Sequence, residues 1–156
     1  MTTADRADEI GQASSMPISR KVLCGVYGVI AIAALIATWS QIGPYLHSPA
    51  DFLGTFWRDV KVNSASRFIA ADALMLALSA TILMVIEARK HNVRFVWLYV
   101  VGSFFIAVSV MFPLFLIARE LRIGASEAPP LRSVDTILLA VVAVAAAGLT
   151  TYIELG

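Results

Sequence analysis

Phe68-Ile-Ala-Ala-Asp72-Ala-Leu-Met-Leu-Ala-Leu-Ser-Ala-Thr-Ile-Leu-Met-Val-Ile86 is an apolar run with one carboxylate inside it. About 20 apolar residues in a helix cross about 30 Å of hydrocarbon, so this run is long enough to span a bilayer. An Asp there is costly unless it finds a partner or keeps a proton. Three further blocks flank it: Val22 to Leu46, Phe95 to Ala118 and Val134 to Ile153. The block lengths predict an all-α membrane protein, a four-transmembrane-helix bundle with short loops. The spans are expected at about 22–46, 66–87, 94–118 and 133–153.

Composition supports this class. The chain has 156 residues, 59% of them hydrophobic, and a mean hydropathy of +0.80. Soluble domains carry about half apolar residues, and here the excess is gathered in blocks. A formal net charge of +1 gives no reason to expect nucleic acid as a partner. The single cysteine, Cys24, excludes an intramolecular disulfide. No C-x-x-C, C-x-x-C-H or Gly-rich phosphate loop is present, so no metal and no cofactor is expected.

Residues 1–19 are polar and read as a disordered tail. Residues 20–156 read as a single transmembrane domain. Spans two and three are joined by Glu87-Ala-Arg-Lys-His-Asn-Val-Arg94, which forces an antiparallel hairpin. Ala128-Pro-Pro130 breaks the chain before span four, where Ser133 is a candidate cap and Asp135 lies in the first turn. Buried parallel strands are the competing reading of the Ala/Val runs, but the runs exceed normal strand length and no helical segments alternate with them. Four spans put Arg6, Arg20, Lys21, Arg89, Lys90 and Arg94 on one side. Arg58, Lys61, Arg67, Arg119, Arg122 and Arg132 fall on the other, so the positive-inside count is tied. Arg20-Lys21 and the tight 89–94 loop tip the expectation towards a multi-pass plasma-membrane protein with both termini cytoplasmic.

Antiparallel threading then defines a polar layer near one face. Asp72 lies about 6–8 Å deep, level with Ser40, Gln41 and Pro113. Pro113 has no N–H, so the Ser109 carbonyl loses its helical donor and needs another partner in lipid. Tyr45, His47, Asn63, Arg67, Arg119 and Glu120 form the expected rim. Asp72 is read in two ways: as a structural Asp paired with Arg67 or Arg119 near a helix N-terminus, or as a proton-handling or ligand-binding group. Pro113 is read first as a packing kink. His47 and His91 fall at opposite faces, which excludes a bis-His haem within one chain. Glu87, Arg89, Lys90, His91 and Arg94 read as a solvated loop at lipid headgroups. Trp97 and Tyr99 suit an aromatic belt, and Gly25, Gly28, Ala33 and Ala37 suit helix packing.

A family pattern emerges from the order of these residues. It runs Gly43-Pro44-Tyr45; Asn63-Ser-Ala-Ser-Arg-Phe68-Ile-Ala-Ala-Asp72; Glu87-Ala-Arg89; Trp97-Leu-Tyr99; and Phe112-Pro113-Leu-Phe115-Leu-Ile-Ala-Arg119-Glu120. From about Val22 to Arg122 the chain resembles the small bacterial membrane family catalogued as domain of unknown function 2834. The resemblance implies a membrane location and an undivided domain, and it picks out Asn63, Phe68, Asp72, Pro113 and Arg119. It implies no activity. Members typically have three spans, so the fourth span and the polar tail depart from the pattern.

Three functions compete. The leading expectation is a non-enzymatic subunit or scaffold that binds membrane lipid, a larger membrane-protein partner or further copies of itself. A second is a membrane-embedded isoprenoid cyclase with Asp72 as general acid, by analogy of architecture alone. A third is a small proton or solute transporter. Whether the chain is an enzyme at all is left open. A cyclase needs an apolar cavity of several hundred Å³ beside Asp72, whereas a scaffold should have Asp72 held by Arg or amide donors.

Overall fold

The computed structural model describes residues 18–43, 45, 51–123 and 133–155. They form six helices: α1 (Ile18–Ser40), α2 (Phe52–Asp59), α3 (Ser64–Lys90), α4 (Val96–Phe105), α5 (Val108–Glu120) and α6 (Ser133–Leu155). No strand occurs among the described residues, which disposes of the sheet alternative there. Three helices are long and apolar enough to cross a membrane: Ile18–Ser40, Ser64–Lys90 and Ser133–Ile153. Ile18 and Ser19, expected in the tail, already belong to α1; residues 1–17 lie outside the described residues. Helix α6 belongs to a unit separate from that of Ser15–Gly124, and each is described by itself. In α6, Asp135 lies in the first turn and the side chains of residues 133–153 are exposed.

The third apolar block corrects the expectation of one span over 94–118. It is two helices that fold back on each other. The rings of Tyr99 and Phe115 meet edge to face with centroids 5.7 Å apart. In one continuous helix those residues would be about 24 Å apart. The reversal lies at Ile106-Ala107. Ile106 N–H closes α4 on the Gly102 carbonyl at 2.8 Å, and Ala107 takes an extended backbone with φ 173° and ψ 146°. At about 15 Å and 20 Å, neither arm alone reaches across 30 Å of hydrocarbon. Ile106, Val108 and Val110 are β-branched and hold a helix weakly. The Met111 side chain lies over Gly102: a Cβ there would stand 2.7 Å from Cε, at the flexible tip of Met111.

Helix α1 runs antiparallel to α5. Near its start Arg20 Nη1 donates to the Ile123 carbonyl at 2.6 Å. Near its end Trp39 Nε1 donates to the Ile106 carbonyl at 3.3 Å. The covered stripe is Arg20, Cys24, Tyr27, Ala31, Ala34 and Thr38, buried or half-buried at alternating steps of four and three; this is the seam of two helices packed nearly parallel to each other's axes. Ala37 is half-buried, a Cβ at Gly28 would meet nothing within 4 Å, and Gly25 and Ala33 are exposed. The Trp39 bond matters because a hairpin tip in hydrocarbon has no water for its terminal carbonyls.

The last turns of α3 complete this core. Met84 and Ala88 pack with Val93, Val96, Val100 and Phe115, in the antiparallel arrangement expected for the 87–94 link. Asn92, with φ 52°, ends α3 in a left-handed turn. Val93 N–H returns to the Ala88 carbonyl at 2.9 Å, a Schellman closure whose apolar pair is Val93 and Ala88. At the other end Asn63 caps α3 by accepting from Ser66 N–H at 2.8 Å. There α3 is uncovered: Phe68, Ile69, Met75 and Leu76 are all exposed. Helix α2 had no counterpart in the sequence reading. Tyr45 packs on Phe52 and Phe56 at 6.1 and 5.8 Å.

Candidate functional site

The hairpin brings five ionisable side chains from three helices and one turn to its base. From α1, Arg20 Nε lies 3.9 Å from Glu120 Oε2. Glu120 Oε1 accepts from Arg119 Nη1 at 2.8 Å. Arg119 Nε donates to Glu87 Oε2 at the end of α3. His91 Nε2, in the turn after α3, lies 3.3 Å from the same oxygen without hydrogen-bond geometry. Signs alternate along the chain Arg20–Glu120–Arg119–Glu87, so the four permanent charges cancel. The side chains of Arg20 and Glu120 are only 5% and 7% exposed. Such a pair is weak evidence of net stability, but removing one member strands a buried charge at a cost of about 3–5 kcal/mol. Arg20 Nη2 and His91 Nε2 have no hydrogen-bond partner among the described residues. Chemically, the arrangement is a latch: it ties α1, the return arm of the hairpin and the end of α3 at one face.

The polar layer expected around Asp72 is not assembled. Arg119 and Glu120 stand with Glu87, and Asp72 is fifteen residues, or about 22 Å, further along α3. The cause is the hairpin, which returns the end of the third block to the face it left. Glu87 and His91, read from sequence as a solvated loop, are half-buried parts of the latch. Asn63 is a local cap, and Arg67 bonds only Ser64 Oγ at 3.4 Å. Tyr45 donates to Asp59 Oδ2 at 2.9 Å, and that bond, more than its slight burial, holds the phenol above its ordinary pKa. Phe68 and Gln41 are exposed, while Pro113 is buried inside α5. His47 lies outside the described residues. Asp72 is exposed, and no hydrogen bond or ion pair joins it to any of the partners expected for it. Tyr99, assigned to an aromatic belt, instead packs in the hairpin; Trp97 is exposed.

The chain matches the family model described as "Protein of unknown function DUF2834" over residues 26–121. The chain belongs to that family. No curated protein and no solved structure matches it. The DUF2834 stretch runs from the first third of α1 through the end of the hairpin. It contains Asn63, Phe68, Asp72, Pro113, Arg119 and Glu120, and it leaves out Arg20 and α6.

Sequence reasoning missed Arg20, Glu87 and His91 as members of one site. The usable signal was that each apolar block near this face ends in a charged residue with an opposite-signed candidate: Arg20, Glu87 and Arg119-Glu120. That signal was misassigned because block three was counted as a crossing.

Proposed function

We propose that this chain is a non-enzymatic subunit or scaffold of a membrane assembly, with a protein partner covering the first half of α3. The observation that carries the reading is Asp72. Ionisable residues within membrane spans nearly always face a bundle interior or a polar cavity. Within the unit of residues 15–124, Asp72 faces neither: it is exposed among exposed Phe68, Ile69, Met75 and Leu76. A partner helix with a polar or basic group there would remove the cost of leaving it in lipid. The cyclase and transport alternatives gain no such support, because an exposed carboxyl is not enclosed in an acid pocket.

The hairpin also bears on orientation. It moves Arg119 and Arg122 to the face of Arg20, Lys21, Arg89, Lys90 and Arg94, and leaves Arg58, Lys61 and Arg67 opposite. The tied count becomes an excess on the latch face, which supports a cytoplasmic latch. If all three long helices cross, their odd number places the chain ends on opposite faces. Three crossings would argue for one cytoplasmic terminus, four for the two expected from the sequence.

The test is site-specific photo-crosslinking in the native membrane, with the probe at position 69 or 76 and, as control, at Met84 in the core. Protein adducts at the first two positions, absent with Asp72→Leu, are expected. Lipid adducts alone at both would overturn the assembly reading.

A further inference from the structure

The turn between α3 and α4 encloses a cleft of about 480 Å³, lined among others by Arg89, Asn92, Arg94, Phe95, Val96 and Trp97. We infer that this cleft binds one anionic phospholipid, with its phosphate between Arg89 and Arg94 and its acyl chains against Phe95 and Trp97. The inference rests on the reading of α3 as a membrane-crossing helix, and not on the partner proposed for its other end.

Charge is the first argument. Arg89 and Arg94 are exposed and make no ion pair or hydrogen bond among the described residues. The only carboxylates at this end of the unit are Glu87 and Glu120, and the latch already occupies both. The cleft therefore carries two guanidinium groups with no counterion among the described residues. Guanidinium presents a planar fork of donors that matches phosphate oxygens. The Asn92 amide adds further donors at the same rim.

Shape and polarity decide between a lipid and a free anion. The lining is polar at Arg89, Asn92 and Arg94 and apolar at Val96, Phe95 and Trp97; Val96 is buried and Phe95 is 78% exposed. Phe95 takes a left-handed backbone, φ 60°, which is unusual for a residue with a bulky side chain. It stands at the start of an apolar helix, where an indole and a benzyl side chain suit the boundary between headgroups and acyl chains. A phosphate ion uses only the polar part of this lining; an anionic phospholipid uses both parts.

Native mass spectrometry of the full chain in detergent, with added dioleoyl phosphatidylglycerol or dioleoyl phosphatidylcholine, tests this. One phosphatidylglycerol should be retained in preference to phosphatidylcholine. Arg89→Gln and Arg94→Gln should each weaken it about fivefold, the effect expected of one basic side chain at an anionic surface. Lys90→Gln, beside the cleft, and Lys61→Gln, at the other end of the molecule, should leave it unchanged. The variant Arg89→Lys/Arg94→Lys keeps the charge but loses the planar fork, so it should keep the preference for phosphatidylglycerol while binding it more weakly than wild type, which covers the case of a glutamine variant that misfolds. Equal retention of the two lipids would overturn the inference. So would equal losses with Lys90→Gln, which would mean diffuse surface charge, or displacement by millimolar inorganic phosphate, which would mean a free-anion site. The crosslinking experiment probes the opposite end of α3, so either result can fail alone.

Discussion

The two ends of α3 differ in almost every physical respect. At Glu87 the helix is packed: Met84 and Ala88 are buried, and the carboxylate is held by Arg119 from the hairpin. At Asp72 the helix is bare: its neighbours are exposed and its carboxyl has no partner among the described residues. Both residues are acids on one helix, each within a few residues of an apolar stretch. Only the fold of another segment distinguishes them. The hairpin of α4 and α5 is too short to cover the whole of α3, so it satisfies the acid at its base and leaves the other unattended.

Substitutions can break or sharpen that contrast. The largest effect is expected for Arg119→Met, which strands Glu87 and leaves Glu120 with Arg20 alone. Folded protein in mild detergent should lose about 3–5 kcal/mol, read as an earlier midpoint in dodecyl sulfate titration. A midpoint within error of wild type would mean that the latch contributes nothing. Next is Gly102→Leu, which forces a side chain into Met111 where even a Cβ falls within 2.7 Å. Overpacking of this kind costs about 1–3 kcal/mol. It should also separate the arms, measured as a lengthened distance between spin labels at exposed positions 98 and 114. An unchanged distance would show that the hairpin does not depend on this approach. The smallest effect is expected for Asp72→Asn in the isolated chain, within about 0.5 kcal/mol, as for an exposed site without partners. A loss as large as that of Arg119→Met would show that Asp72 is held after all and would erase the difference between the two ends.

Much of the local structure was legible in the residues. Block length and hydropathy placed α1, α3 and α6, because a helix must satisfy its own backbone before it can sit in lipid. The short 87–94 link marked a return, whereas Asn63, read as part of a polar rim, caps α3 in the structure. Helix α2 was not read: its apolar residues do recur at helical spacing, as at Phe52 and Phe56, but eight residues between two long apolar blocks are short enough to pass for a loop. The partition of 94–118 into two arms was not readable either. Nothing polar marks its turn, and Pro113, its one conspicuous residue, lies inside α5 and not at the reversal.

Sequence alone determined that this is a helical chain with spans long enough for a membrane, and which family it belongs to. Those properties depend on hydropathy and order, which are additive along the chain. The tertiary structure decided whether block three crosses or returns, and hence which charges meet. Both conformations bury similar apolar side chains and satisfy nearly the same helical hydrogen bonds, so composition barely separates them. Contacts far apart in sequence make the difference: Tyr99 on Phe115, Trp39 on the Ile106 carbonyl, and Arg119 on Glu87.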